Sequence, residues 1–178
     1  MDILKKIVKN SHLMVIICVV LMFISMCLPL ASAQGEYREL LNEGFSMSKL
    51  SADQIKGVSL LEHVIFYVSC GVDYTGTERY AGAYMAMGVF TLFFYGFVLL
   101  FALLKKAIPV IIFDLLTSGM MLLTTVLTIF MVRAGTYGVG FGIILYVIAS
   151  IAAAVFAVRL FMDKRRARYA KKMEQTQG

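Results

Sequence analysis

The sequence has no tryptophan, only two prolines and only three cysteines among its 178 residues. Charged residues are also scarce, at 16% of the chain against about 25% in an average soluble domain. Apolar residues make up 60% of the chain, and the mean hydropathy is +0.82. A soluble domain would need more polar residues than this to cover its surface, so the composition predicts a membrane protein.

Motifs that carry catalysis or hold a metal ion are absent from the sequence. No HExxH, GxSxG or P-loop pattern occurs, and His12 and His63 are isolated, so no zinc ligand set is predicted. The cysteines form no CxxC pair, and a disulfide between Cys27 and Cys70 would require the loop that carries Cys70 to dip inward. The sequence therefore predicts a protein that is not an enzyme and uses no cofactor.

Four long apolar runs dominate what the sequence does contain. Each is close to the length of about 20 residues that crosses a bilayer as a helix. The sequence predicts an all-α membrane protein, a bundle of four transmembrane helices at 13–33, 82–104, 110–132 and 140–161. The segments outside the helices are an N-terminus at 1–12, a long loop at 34–81, a turn at 105–109, a second turn at 133–139 and a basic tail at 162–178.

The first apolar run has a second interpretation, because lysines precede it and it ends in Ala31-Ser32-Ala33. A basic start and a small-residue end are typical of a cleaved signal peptide. The run nevertheless holds 21 residues without a charge, which is longer than the roughly 7–15 residues of a signal-peptide core. Its length favours a retained transmembrane helix.

The distribution of lysine and arginine sets the predicted orientation, because short cytoplasmic segments carry an excess of both. With the N-terminus inside, the inner segments hold twelve of the 17 basic residues and the outer segments hold five. Both termini are therefore predicted to face the cytoplasm of a cell membrane. The basic tail is expected to contact anionic lipids of the inner leaflet, and it is too short for a nucleic-acid recognition fold. Its basic residues are Lys164, Arg165, Arg166, Arg168, Lys171 and Lys172.

The long outer loop is expected to be ordered. Ser51-Ala52-Asp53-Gln54 matches a capping box, and apolar residues recur at helical spacing after it, which predicts a helix near 52–69. The β-branched and aromatic residues at 64–69 leave a strand open as an alternative. A long first outer loop and a short second one resemble the claudin-like layout. The tryptophan and the cysteine pair of that family are missing, so the resemblance extends to topology alone.

Asp114 is the one acidic residue inside a predicted span, where a carboxylate usually faces the bundle interior and finds a partner. An antiparallel hairpin centred near Thr136 would place Asp114 and Arg159 at equal depth, which predicts an interhelical ion pair between them. A second interpretation joins Asp114 to three threonines on one helical face that could line a polar path. This candidate polar face consists of Asp114, Thr117, Thr124 and Thr128.

Small residues recur every four positions along the last span and just before it, a spacing that lets two helix backbones approach closely in a bilayer. The predicted packing residues are Gly138, Gly142, Ala149, Ala153 and Ala157. We expect their partner to be another helix of the same chain, with a homodimer as the alternative.

These patterns predict a small integral membrane protein that acts as a non-catalytic partner-binding, assembly or accessory subunit through its helix faces and outer loop. Its expected partners are membrane lipids and either another protein or further copies of itself, and not nucleic acid. The alternative function is an oligomeric transporter or channel for a small solute that uses the Asp114 and threonine face. Transport by the purified chain in liposomes would distinguish the two.

Overall fold

The computed structural model of the protein describes residues 10–42, 56–62, 78–131 and 137–177. Within these ranges the chain is mostly helical. The helices are α1 (Ser11–Met26), α2 (Gly35–Asn42), α3 (Glu78–Leu103), α4 (Ala107–Met131) and α5 (Phe141–Gln177). Three short strands, β1 (Ala31–Ala33), β2 (Gly57–Val58) and β3 (Tyr137–Val139), form one sheet.

Three of the described helices are long and apolar enough to cross a membrane, over Ala86–Leu103, Ala107–Leu127 and Phe141–Tyr169. These segments give the chain the character of a membrane protein. α1 is also apolar, but its 16 residues extend only about 24 Å, which is less than the ~30 Å hydrocarbon core. By helix length, three of the four predicted spans therefore reach across a bilayer.

The first apolar run, predicted as one helix over 13–33, forms a helix, a turn and a strand. α1 ends at Met26, and Leu28 then precedes Pro29, whose ring disfavours a helical conformation in the residue before it. After this turn, Ala31–Ala33 becomes the central strand of the sheet. The small residues that resemble a cleavage site thus lie in a strand, and Ala31 and Ala33 are buried.

Four of the helices form an antiparallel bundle in which α1 packs along α5, α3 along α4, and α4 also on α5. The hydroxyl of Ser11 in α1 donates to Asp163 of α5 at 2.9 Å, so the start of α1 and the far part of α5 lie at one end of the bundle. We call this end, which also carries the turn between α3 and α4, the basic end; the opposite end is the sheet end. Fully buried side chains of the core include Val15, Met22, Val98, Met121 and Tyr146.

The three-stranded sheet corrects the all-α prediction. β1 lies between β2 and β3 and pairs antiparallel with both, so that Ser32 has Gly57 on one side and Gly138 on the other. Leu30, just before β1, donates its N–H to the Val58 carbonyl at 2.8 Å and accepts from the Gly140 N–H at 2.7 Å. Backbone N–H and C=O groups just outside a helix need hydrogen-bond partners elsewhere. Here the segment after α1 and the start of α5 supply such partners to each other.

The predicted helix near 52–69 is interrupted by β2. An added Cβ at Gly57 would lie 2.8 Å from the Pro29 ring, so this close approach requires glycine. A capping box does occur, but at Ser59–Glu62, where the Glu62 carboxylate accepts from the Ser59 N–H at 2.9 Å and the Ser59 hydroxyl accepts from the Glu62 N–H at 3.1 Å. The predicted capping box at 51–54 and the alternative strand at 64–69 lie outside the described residues.

The turn between α3 and α4 is a Schellman motif. The N–H of Lys105 donates to the Ala102 carbonyl at 3.1 Å, and the N–H of Lys106 donates to the Phe101 carbonyl at 2.9 Å. Lys105 takes a φ of 57°, in the left-handed region that glycine usually occupies in this motif. α5 does not stop at 161, as predicted for the last span, but continues through the basic tail to Gln177.

Candidate functional site

A small group of polar side chains lies inside the bundle between α4 and α5. Asp114 is only 2% exposed, although it lies about 10 Å along α4 from its start. The Ser118 hydroxyl, one turn further along α4, donates to Asp114 Oδ1 at 3.5 Å and lies 2.8 Å from the Ser150 hydroxyl of α5. Ser150 therefore lies close to the Asp114 carboxyl as well. We call Asp114, Ser118, Ser150 and the neighbouring Tyr146 the Asp114 cluster.

Tyr146 is the unsatisfied member of the Asp114 cluster. Its side chain is 0% exposed, and its hydroxyl faces Ser118 and Asp114. Among the described residues, none accepts or donates a hydrogen bond at this hydroxyl. Tyr95 of α3 lies nearby in the core, but its own hydroxyl donates to the Val19 carbonyl of α1 at 2.9 Å. A buried polar group without a partner costs about 1–3 kcal/mol, so Tyr146 is a point of local instability or of function.

Arg159, the predicted partner of Asp114, lies elsewhere on α5. The contact between Ser118 and Ser150 shows which residues of the hairpin stand opposite each other. Arg159 follows Ser150 by nine residues, which is two and a half turns at about 3.6 residues per turn, so it points to the opposite side of α5. Its side chain is exposed there. The hydrogen bond that the structure gives the Asp114 carboxylate comes from Ser118, and the ion pair with Arg159 stays a prediction.

The described side chains of the predicted polar face of α4 are buried, and the hydroxyls of its two described threonines bond to the helix that carries them. Thr117 donates to the Phe113 carbonyl at 2.6 Å, and Thr124 donates to the Met120 carbonyl at 2.8 Å. Such bonds to the preceding turn are common for threonine in apolar helices. The side chain of Thr128 lies outside the described residues. The hydroxyl groups of Thr117 and Thr124 therefore donate their hydrogen bonds within α4.

The small-residue stripe of α5 packs inside the chain. Ala149, Ala153 and Ala157 are at most 3% exposed, within the core that the helices of the chain form together. Gly142, in the first turn of α5, donates its N–H to the Pro29 carbonyl at 2.8 Å. Gly138 belongs to β3 rather than to a helix. The three alanines thus allow close helix packing within one chain. The two glycines lie at the sheet end, where Gly138 pairs in the sheet and Gly142 bonds to the turn after α1.

The basic end carries a cleft of about 510 Å³ between the α3–α4 turn and the far part of α5. We call it the basic cleft. Four residues of the predicted lipid-contacting tail line it, Lys164, Arg165, Arg168 and Lys172, together with Lys105 and Lys106 of the turn. Sequence analysis did not assign the turn lysines to this site, although two adjacent lysines at the end of an apolar run were a visible signal. Arg166 does not line the cleft, and the side chain of Lys171 lies outside the described residues.

Among the described residues, no group of three or more histidine, cysteine, aspartate or glutamate side chains is placed to hold a metal ion. Cys18 is buried and Cys27 is exposed, both as free thiols, whereas Cys70 lies outside the described residues. No family model, no curated protein and no solved structure matches this chain.

Proposed function

We propose that this chain is a small integral membrane protein that works by binding a partner protein inside the membrane, as an assembly or accessory subunit. The observation that carries the proposal is an array of aromatic rings on α3 and α4 that contact one another and are partly or largely exposed. We call Phe93, Phe97 and Phe101 of α3 and Phe113 of α4 the aromatic ridge. Phe93 is the most exposed of these, at 56%.

The rings of the aromatic ridge hold each other in place. Phe97 lies edge-on to Phe93 with their centroids 4.9 Å apart, and it stacks on Phe113 at the same distance. Phe101 stacks on Phe113 at 5.5 Å and also lies 6.2 Å from Phe97. Association in a bilayer depends on close van der Waals fit rather than on the burial of apolar area. A surface whose side chains are already fixed loses little conformational entropy when a partner helix packs on it, so the aromatic ridge suits protein binding.

The proposed placement has α1 as a fourth membrane segment and both termini in the cytoplasm of a cell membrane. The common location of Ser11 and Asp163 at the basic end supports it, since an even number of crossings returns the chain to its starting side. The concentration of lysine and arginine at this end favours the cytoplasmic side for it. α1 presents apolar side chains outward, as lipid contact requires, namely Leu13, Ile17, Val20, Leu21 and Ile24.

The test is photo-crosslinking in native membranes, with a photoreactive phenylalanine analogue at position 93. The matched control places the same analogue at Ile151 of α5, which is 61% exposed but lies away from the ridge. We expect one discrete protein adduct from position 93 and none from position 151, and mass spectrometry of that adduct identifies either another protein or a second copy of the chain. Only diffuse lipid adducts from both positions would overturn the proposal.

The alternative is an oligomeric transporter or channel for a small solute, and the Asp114 cluster is the observation that favours it. A carboxylate buried in a membrane segment marks an ion or proton pathway in many transporters, and the Tyr146 hydroxyl near Asp114 is buried without a hydrogen-bond partner among the described residues. The test uses liposomes that contain the purified chain and a dye for protons or potassium. Flux above that of protein-free liposomes, lost in Asp114→Asn, would support transport; we expect no such flux, because the described threonine hydroxyls of α4 bond to their own helix.

A further inference from the structure

We propose that the basic cleft is a binding site for the phosphate headgroup of one anionic membrane lipid. This inference goes beyond partner binding through the aromatic ridge and depends only on the membrane placement of the helices. It assigns a defined pocket and a stoichiometry of one lipid to each chain. A basic tail that merely lies near a charged membrane surface would have neither.

The charge of the cleft selects an anion. Six of its eleven lining residues are lysine or arginine, and none is acidic. The cations come from two separate parts of the chain, the α3–α4 turn and the far part of α5, so the fold itself brings them together. A lining with six basic residues and no acidic one attracts an anion, and arginine matches the two-oxygen edge of a phosphate.

The remaining lining residues indicate a lipid rather than a soluble phosphate compound. One side of the cleft is apolar and consists of Ile108, Pro109 and Phe161. The side chain of Ile108 is 53% exposed and that of Phe161 is 39% exposed. The cleft also lies where the apolar part of α4 begins, at Ala107, which is the level of lipid headgroups in a bilayer. A phospholipid offers both features at once, since its phosphate and its acyl chains are joined at this depth.

Several of the basic side chains are already positioned. The ammonium of Lys164 donates to the Lys105 carbonyl and so ties α5 to the turn. Arg165 donates to the Tyr169 hydroxyl at 3.2 Å, and its guanidinium lies 5.5 Å from the centre of the Tyr169 ring. These contacts shape the cleft, which lowers the entropy that binding would otherwise cost.

Lys105 provides an independent observation. It occupies the left-handed position of the Schellman motif with a φ of 57°, where a side chain is less favourable than the hydrogen of glycine. Strained backbone positions concentrate at functional sites, because the strain is tolerated where the side chain is needed. Lys105 lines the cleft. A glycine at this position would keep the turn but would lack the ammonium group.

The experiment measures lipid retention by the full-length protein in detergent, with native mass spectrometry. The protein is mixed with phosphatidylcholine containing a small fraction of phosphatidylglycerol or of cardiolipin, and the number of bound lipids and the apparent affinity are recorded. We expect one anionic lipid to remain bound to each chain and no phosphatidylcholine. Equal retention of phosphatidylcholine would overturn the proposal.

Two variants with the same change of charge distinguish the cleft from general attraction. Arg168→Gln removes a cleft cation, whereas Arg166→Gln removes a cation from the same helix outside the cleft. We expect Arg168→Gln to weaken binding about fivefold, as the loss of one basic residue near a charged leaflet should, and Arg166→Gln to change it less than twofold. Equal weakening by both variants would show diffuse attraction and refute a defined site.

A third variant and a competitor complete the test. Lys105→Gly keeps the turn, and we expect weaker lipid binding with an unchanged or higher melting temperature; unchanged binding would overturn the assignment of the lipid to this cleft. Inorganic pyrophosphate carries the same phosphate chemistry without acyl chains. If pyrophosphate displaces the lipid at equal concentration, the ligand is a soluble phosphate compound and the lipid assignment is wrong; we expect no displacement.

Discussion

Gly140 is the position where one added methyl group should harm the fold most. It lies between β3 and α5, and its N–H donates to the Leu30 carbonyl at 2.7 Å. An ideal Cβ at this position would stand 2.2 Å from the Pro29 carbonyl oxygen and 2.7 Å from the carbonyl carbon of Leu30. Both contacts are to backbone atoms, which a change of rotamer cannot move.

The cost of Gly140→Ala follows from this geometry. The overlap forces the start of α5 away from the segment before β1, which costs about 1–3 kcal/mol as for other overpacked sites. The shift also weakens the buried hydrogen bond to Leu30, at about 0.5–1.5 kcal/mol. We expect a loss of about 2–4 kcal/mol in the free energy of unfolding, which for a chain of this size lowers the melting temperature by roughly 4–16 °C.

The assay is thermal unfolding in detergent followed by circular dichroism, since the chain has no tryptophan to report by fluorescence. Gly96→Ala is the matched control, because a Cβ on this glycine in the middle of α3 would meet nothing within 4 Å. We expect the control to be unchanged or more stable by up to about 1 kcal/mol, as for alanine in place of glycine in a helix. Melting temperatures of the two variants within about 2 °C of each other would refute the reasoning about the sheet end.

Three further outcomes are expected. Ser150→Ala should destabilise the protein by about 1–2 kcal/mol in the same melting experiment, because it removes the hydroxyl that bonds to Ser118, whereas Arg159→Gln at an exposed position should change stability by less than about 0.5 kcal/mol; the reverse order would support the ion pair between Asp114 and Arg159. Tyr146→Phe should leave stability unchanged or raise it by about 1 kcal/mol, because it removes a hydroxyl that no described residue satisfies, and a clear loss would reveal a partner for that hydroxyl. The intact mass of protein isolated from membranes should include the residues before Gln34, because α1 packs along α5 and Ala31 and Ala33 are buried in β1; a mass that begins at Gln34 would contradict this.

Much of the helical part of the fold was predictable from the sequence. The span predicted at 82–104 is the apolar part of α3, and the span predicted at 110–132 nearly coincides with α4. Helices of this kind follow from local properties, since a long run without charges satisfies its backbone hydrogen bonds within itself in an apolar environment. The run of lysine and arginine after the last span likewise predicted a basic end of the bundle, but not the cleft that these residues line.

Which strands pair and which helix faces contact each other is visible only in the tertiary structure. Ala31–Ala33 reads as the end of an apolar run, but it becomes a strand because β2 and β3, distant in the sequence, offer it hydrogen bonds. Ser118 of α4 meets Ser150 of α5 because the rotation of α5 about its axis is fixed by packing along its whole length. Lys105 and Lys106 join the tail cations across a cleft for the same reason: long-range packing, which no local pattern encodes, decides which surfaces face each other.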